Sequence, residues 1–166
     1  MEGRDLKKLV IFYSLEGNTK FIAEGIKEIV GSDILELKPK SDIESKGFMR
    51  FVWGGRQVVT GKKPELQPID KKPEDYDLIF IGTPVWANRY TPAINTFLDE
   101  NQITGKKVAF FCCHAGGGNG KTFKMLNEQL KENEILGEIE FKDPLKKGKK
   151  EAKERLKEWL EKTIYI

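Results

Sequence analysis

Residues 11–23 have the sequence Ile11-Phe12-Tyr13-Ser14-Leu15-Glu16-Gly17-Asn18-Thr19-Lys20-Phe21-Ile22-Ala23, and this stretch decides the fold. The β-prone run from Leu9 to Tyr13 stops at a short turn rich in hydroxyl, Gly and Asn residues. Apolar residues then recur at helical spacing from Phe21 to Val30. A strand–turn–helix unit of this kind directs backbone N–H groups and the positive end of a helix at one point, which suits an anion and above all a phosphate.

The side chains of this first turn allow two interpretations. Ser14 and Thr19 supply hydroxyl donors, and Gly17 lets a ligand approach the backbone closely, as a phosphate site requires. Alternatively, Ser14 and Asn18 only cap the helix while Gly17 forms the turn. The turn alone does not decide between phosphate binding and capping.

Length and composition indicate one folded domain over residues 1–166. A hydrophobic content of 39% with 33% charged residues is typical of a globular chain that buries a sizeable core. The longest nearly apolar run, Leu78 to Ala87, is too short to cross a bilayer. The first five residues have mixed charge and no apolar signal core, so we expect a cytoplasmic protein with no membrane span.

The net charge of +3 is concentrated near the C-terminus. Residues 146–162 hold eight Lys or Arg and four Glu, with apolar residues at helical spacing. This pattern predicts a docked amphipathic helix with a solvated face, and a patch for nucleic acid or an acidic partner is the weaker alternative. We expect no nucleic-acid partner.

The adjacent Cys112 and Cys113 point to opposite faces of a strand, so they form neither a disulfide nor a metal site.

Strand and helix patterns alternate about five times along the chain. After the first unit, strands are predicted at 34–38, 78–83, 108–113 and 138–141, and helices at 46–60, 92–98 with Thr91 as cap, 121–132 and near the C-terminus. This alternation predicts a doubly wound α/β fold with a parallel sheet and helices on both faces.

Ligands of such sheets bind beyond the carboxyl ends of the strands, where three loops of unusual composition meet. The first is Ser14–Thr19. The second, Thr83–Tyr90, places Trp86 and Tyr90 where their rings could stack on a flat ligand, unless Trp86 packs on the neighbouring helix instead. The third, Cys113–Gly120, offers backbone N–H groups with few side chains, unless it is simply flexible.

One motif favours a different function. Residues 115–122, Ala-Gly-Gly-Gly-Asn-Gly-Lys-Thr, miss the P-loop pattern only by Ala in place of the first Gly. A P-loop enzyme also needs a strand that ends in a magnesium-binding Asp, whereas the central strand ends in Gly82-Thr83-Pro84. A nucleotide hydrolase is therefore a minor alternative, and it predicts ATP or GTP turnover that is lost in Lys121→Ala.

The three loops together resemble those of the flavodoxin family. Ser14–Thr19 is similar to its FMN-phosphate loop, Gly82–Trp86 with Pro92 downstream to its second flavin loop, and the glycines after Cys113 to its third. The resemblance covers the whole chain and implies a five-stranded sheet of order 2-1-3-4-5 with FMN as cofactor. It implies cofactor contacts from Ser14, Leu15, Glu16, Gly17, Asn18, Thr19, Thr83, Pro84, Val85, Trp86, Ala87, Asn88, Cys113, His114, Ala115, Gly116 and Gly117.

Within this set, the resemblance implies a role for each loop. The FMN phosphate would lie at Ser14–Thr19, Trp86 would stack on the ring, and Cys113–Gly117 would line its pyrimidine edge. The implied function is electron transfer between redox partner proteins, with acidic partners docking near the flavin edge as one expectation. The alternative is an FMN-dependent NAD(P)H:quinone-type reductase.

The chain departs from the family pattern in two respects. Ala87-Asn88 stands where flavodoxins usually place a Gly whose peptide can flip toward the flavin, and only Asn tolerates positive φ easily. The net charge of +3 contrasts with the usual acidic character, and Arg89 near the ring would stabilise a reduced anion.

His114, the only His, is either a modulator of flavin protonation or a plain hydrogen-bonding group. No residue is an obvious acid–base catalyst, so the sequence leaves enzyme or carrier open.

Overall fold

The computed structural model describes residues 5–41 and 63–164. Its strands form one parallel sheet in the order β2-β1-β3-β4-β5. The strands are β1 Lys8–Phe12, β2 Asp33–Glu36, β3 Leu78–Pro84, β4 Lys107–His114 and β5 Glu134–Lys142. The predicted fold class and strand order are confirmed.

Helices follow the strands and cover the sheet on both sides. They are α1 Asn18–Val30, α2 Pro92–Glu100, α3 Thr122–Gln129, α4 Pro144–Lys147 and α5 Lys149–Ile164, with a 3₁₀ turn at Pro73–Asp75 before β3. The predicted helix at 46–60 lies outside the described residues. Within the described residues, no helix has both the length and the apolar character that crossing a bilayer requires.

The core is split into two layers by the sheet because successive strand residues point to opposite faces. In β1, Leu9 and Ile11 pack with α2 and α3, whereas Val10 and Phe12 pack with α1 and α5. The central strand β3 is buried along Leu78–Thr83, as expected for a strand covered on both faces. Gly82 makes this layer possible, because a Cβ there would lie 2.0 Å from Cζ of Phe111.

Two predicted boundaries were wrong by three residues or more. β5 begins at Glu134, four residues before the predicted Glu138, because edge-strand residues are only half-buried and lack the apolar run of a central strand. The α3 helix covers Thr122–Gln129 instead of 121–132, since Leu130 already has φ −112°. Neither change moves the carboxyl ends of the strands, where β1, β3 and β4 present their three loops.

Candidate functional site

A cleft of roughly 730 Å³, counting the space open to solvent, lies at the carboxyl ends of β1, β3 and β4. Its lining residues come from all three predicted loops and from the end of β5: Ser14, Leu15, Glu16, Asn18, Thr19, Pro84, Val85, Trp86, Ala87, Cys113, His114, Ala115 and Asp143. Of the predicted site residues, Gly17, Thr83, Asn88, Gly116 and Gly117 lie outside this lining.

The first loop combines partial capping with unused donors. The Ser14 hydroxyl accepts hydrogen bonds from the amides of Gly17 and Lys20, both at 3.2 Å, so Ser14 does cap the first turn of α1. Gly17 is the N-cap residue and has φ +99°, which favours glycine. The proposed capping role of Asn18 is wrong. Its Oδ1 instead accepts the amide of Leu145 at 3.1 Å, which fastens α4 to the loop.

Several donors of this loop have no protein acceptor. Among the described residues, the backbone amides of Leu15, Asn18 and Thr19 make no hydrogen bond. The Thr19 hydroxyl is buried and also lacks a hydrogen bond of normal geometry. No acidic residue lies in the first turn of α1, and the acidic residues of the cleft lining are Glu16 and Asp143. The Thr19 hydroxyl is a buried donor, which is costly without an acceptor, and unpaired amides at a helix N-terminus favour an anion, so these residues fit a phosphate.

The second loop is a tight two-residue turn. Trp86 and Arg89 pair through both backbone hydrogen bonds, at 2.9 and 3.0 Å, around Ala87 at φ +48° and Asn88 at φ +63°. Positive φ at both central residues defines a type I′ turn, which Asn accommodates and Ala does not. The departure from the usual glycine is therefore a real conformational strain at Ala87.

The aromatic side chains of the second loop lie in different environments. Trp86 is half-buried in the cleft wall, and its ring meets Tyr13 edge to face at a centroid distance of 5.5 Å. Tyr90 was expected to be exposed, but it is only 9% exposed and belongs to the core on the α2 side. A ring-stacking role in the cleft is therefore available to Trp86 and not to Tyr90.

Thr83 supports this loop from within the protein. Its buried hydroxyl accepts the amide of Thr91 at 3.1 Å and donates to the carbonyl of Pro84 at 2.8 Å. Thr91 precedes α2 as predicted, but its side chain makes no capping hydrogen bond and approaches the Thr83 hydroxyl instead. These contacts connect the end of β3 to the start of α2.

The third loop is folded around His114. Its Nδ1 accepts hydrogen bonds from the amides of Gly116 and Gly118, at 3.0 and 3.3 Å. Its Nε2 lies 3.6 Å from Oε2 of Glu140, which also accepts the side-chain amide of Asn119 at 3.1 Å. The two hydrogen bonds to Nδ1 thus fold the glycine loop around the imidazole in a defined conformation.

Cys113 contributes a neutral thiol to the cleft. The side chain is 4% exposed, and burial raises the pKa of its thiol to about 12, an effect that the nearby Thr19 hydroxyl partly opposes. Burial likewise raises the pKa of Cys112, which faces the opposite layer. A thiol with such a raised pKa stays protonated at neutral pH, so Cys113 presents a small apolar group and not a nucleophile.

The P-loop-like residues do not form a phosphate cradle. The amide of Lys121 donates to the carbonyl of Asn88 at 2.7 Å, and the amide of Thr122 donates to Asn119. Gly120 packs so closely that a Cβ there would lie 2.7 Å from Cα of Asn88. Four of the amides that a P-loop would offer to a nucleotide are thus bonded within the protein, at Gly116, Gly118, Lys121 and Thr122.

Asp143 was not predicted as a site residue. It follows β5 with φ +37°, donates its amide to the carbonyl of His114 at 2.9 Å, and lines the cleft. Its carbonyl accepts the amides of Lys146 and Lys147, which starts α4. The only signal in the sequence was the Asp143-Pro144 pair, which marks a break but no ligand.

Comparison with known proteins gives one consistent result. The family model for flavodoxin matches residues 7–163. A flavoprotein from Lactobacillus acidophilus, whose crystal structure is a complex with FMN, is 30% identical with a TM-score of 0.70, over 87% of this chain and 99% of that one. No curated protein sequence matches the chain.

Two more distant structures share the fold. A protein described as a flavoprotein from Bacteroides uniformis has 22% identity and a TM-score of 0.78, over 93% of this chain and 97% of its own. The oxidised flavodoxin 2 from Bacillus cereus has 18% identity and a TM-score of 0.60, over 96% and 98% respectively.

Proposed function

The chain belongs to the flavodoxin family, and on that premise we propose that it is an electron-transfer protein that uses FMN held in the three-loop cleft. FMN is the cofactor that the family and the Lactobacillus acidophilus relative imply. When bound, FMN supplies redox chemistry in one-electron steps at its ring. The observation that carries the proposal is the set of unpaired donors around Thr19 in the cleft.

Each loop has a distinct task in this proposal. The unpaired amides of the first loop and the Thr19 hydroxyl hold the phosphate, with the helix dipole of α1 adding to the attraction. Trp86, supported by Tyr13, forms an apolar wall for the ring and excludes water from one side. Cys113, His114 and Ala115 line the remaining side of the cleft, together with Asp143.

The same groups favour electron transfer over catalysis on a substrate. The His114 imidazole is hydrogen-bonded at Nδ1 to two backbone amides and faces Glu140 at Nε2, so it is committed to the loop conformation. The Cys113 thiol is protonated because burial raises its pKa. The Nδ1 atom of His114 is occupied by the third loop and the protonated Cys113 thiol is not a nucleophile, whereas one-electron exchange at the ring needs neither group.

One observation favours the second candidate, an FMN-dependent reductase of small acceptors such as quinones. Arg89 is exposed on the second loop and makes no ion pair within the described residues. A guanidinium near the ring would stabilise negative charge that develops on reduction, which favours two-electron chemistry.

Anaerobic reduction of the FMN-loaded protein distinguishes the two functions. A carrier takes up the two electrons in separate steps of different potential, and it oxidises NAD(P)H slowly. A reductase bleaches in a single two-electron step and turns over NAD(P)H with a quinone. Single-step bleaching together with fast turnover would overturn the carrier proposal, and restoration of separate steps in Arg89→Gln would assign the difference to Arg89.

A further inference from the structure

Five exposed lysines form a ridge where β5 leads into α4 and α5. This lysine ridge consists of Lys142, Lys146, Lys147, Lys149 and Lys150. In the part of the chain that the structure describes, none of the five makes an ion pair. Their charges are therefore available to a partner.

The excess positive charge of the protein is located in this ridge. Residues 142–150 contain the five lysines and one acid, Asp143, which gives +4. Residues 151–164 contain four basic residues and four Glu, so the rest of α5 is neutral. Since the whole chain is +3, all residues outside 142–150 together sum to −1. The ridge is thus a local feature and not part of a generally basic surface.

The ridge borders the cleft directly. Asp143, within it, lines the cleft. The amide of Leu145 is bound by Asn18 of the first loop, and Lys146 and Lys147 follow at once. At the other end, Lys142 extends along the third loop, where a Cβ on Gly116 would lie 3.4 Å from its Cε. A molecule that covers the ridge would also lie at the rim of the cleft.

We propose that the lysine ridge is the docking surface for an acidic redox protein. This inference rests on the proposed function, because the position of the ridge beside the cleft matters only if electrons leave from there. Opposite charges on two partners raise the association rate and orient the encounter, here with the cleft toward the acidic face of the partner.

An acidic protein fits this surface better than a membrane or a nucleic acid. Ile29 is the one large hydrophobic side chain that is clearly exposed among the described residues, and it lies at the end of α1. On α5, Ala152, Leu156 and Leu160 are buried against the sheet, and Trp159 and Ile164 are partly buried against the same layer. Among the described residues, the ridge therefore has no fully exposed apolar side chain to insert into a bilayer and no fully exposed aromatic ring to stack on a base.

The test uses the reduced, FMN-loaded protein and two small oxidants of opposite charge. Ferricyanide carries negative charge and hexaammineruthenium(III) positive charge, and stopped-flow spectroscopy gives the oxidation rate from about 10 to about 300 mM ionic strength, a range over which screening becomes nearly complete. For the wild type, we expect the ferricyanide rate to fall and the ruthenium rate to rise with salt. Poly-L-glutamate, an acidic polypeptide, should slow oxidation by ferricyanide at low salt.

The matched variants are Lys146→Glu/Lys147→Glu on the ridge and Lys72→Glu/Lys131→Glu at the opposite end of the sheet. Both change the net charge equally, and all four lysines are exposed. We expect ferricyanide to oxidise the ridge variant on the order of tenfold more slowly than the wild type at low salt. Poly-L-glutamate should not change this rate, and the control variant should behave like the wild type.

Three results would overturn the docking proposal. Equal effects of the two variants would mean that only net charge matters. A weaker affinity for FMN in the ridge variant, with an unchanged salt dependence of oxidation, would assign the lysines to cofactor capture. Salt-sensitive binding of the wild type to phosphatidylserine vesicles, without inhibition by poly-L-glutamate, would assign the ridge to a membrane. Failure of the wild type to bind FMN at all would instead contradict the proposed function and is seen before any oxidant is added.

Discussion

The carbonyl of Asn88 accepts the backbone amide of Lys121 at 2.7 Å, which joins the tip of the second loop to the end of the third. Gly120 allows this contact because its hydrogen atom faces the Asn88 backbone, where a Cβ would come within 2.7 Å. The second loop is thus held in place by the residues that resemble a P-loop.

Gly120→Ala should break this connection. The new methyl group collides with backbone atoms, which costs about 1–3 kcal/mol beyond the cost of an alanine at φ +56°. We expect a lower free energy of unfolding in urea and a weaker affinity for FMN.

Gly105→Ala is the matched control for that experiment. Gly105 has a similar φ of +68° and no atom within 4 Å of a Cβ, so its variant bears the backbone strain alone. Equal loss of stability in the two variants, with FMN affinity unchanged in both, would contradict the role assigned to the contact between Asn88 and Lys121.

Ala87→Gly should relieve strain in the second loop. An alanine at φ +48° is in the left-handed region that glycine adopts freely, so the substitution should raise the free energy of unfolding by up to about 1 kcal/mol. Asn88→Gly is the comparison, and it should gain less because Asn tolerates this region. Urea denaturation of the apo proteins measures both, and a loss of stability in Ala87→Gly would argue against a strained turn.

Thr19→Val should separate stability from cofactor binding. The buried hydroxyl has no normal hydrogen bond in the protein, so its loss should leave the stability of the apo protein unchanged or slightly raised. A hydrogen bond to a charged phosphate contributes about 1.5–3 kcal/mol, so the affinity for FMN should fall about tenfold or more.

Thr122→Val provides the control for Thr19→Val. Its hydroxyl is also buried without a hydrogen bond, but Thr122 does not line the cleft. It should show the same small effect on stability and no effect on FMN affinity. An equal loss of affinity in both variants would show that the Thr19 hydroxyl has no specific contact with the phosphate.

Tyr76 makes stability depend on alkaline pH. Its hydroxyl donates to Oδ2 of Asp33 at 2.6 Å, and burial, followed by this hydrogen bond, raises its pKa from 10.0 to about 12. A phenol whose folded pKa is raised stabilises the fold fully below pH 10, and this contribution is lost as pH rises through about 12.

The corresponding measurement compares wild type and Tyr76→Phe by urea denaturation from pH 8 upward. The difference in free energy of unfolding should be constant below pH 10 and should shrink above it, because Phe does not titrate. A difference that stays constant across this range would mean that the phenol of Tyr76 has no raised pKa.

The sequence was sufficient to predict the fold because the buried strands are apolar runs and the first βα turn has a distinctive composition. Leu78–Thr83 and the turn at Ser14–Thr19 illustrate both signals. The early start of β5 gave no such signal, since half of an edge strand faces the solvent. The burial of Tyr90 could not be predicted from the sequence either, because burial of an aromatic residue in a loop depends on the helix that packs over it.

The cleft could be predicted as a set of loops but not as a set of contacts. The hydrogen bonds of Asn18 to Leu145 and of Asn88 to Lys121 join residues far apart in the chain, and no local pattern specifies them. Asp143 enters the cleft for the same reason, through its bond to His114 at the end of the neighbouring strand. Composition marks where a ligand binds, whereas tertiary contacts decide which atoms remain available to it.

The most direct test of the account compares the affinities of the apo protein for FMN and for riboflavin, which lacks the phosphate, by quenching of flavin fluorescence. If the unpaired amides of the first loop and the Thr19 hydroxyl hold the phosphate, FMN should bind at least a hundredfold more tightly, a difference of about 2.7 kcal/mol. Equal affinities for the two flavins, or no binding of either, would contradict the central claim that this cleft is an FMN site built around a phosphate.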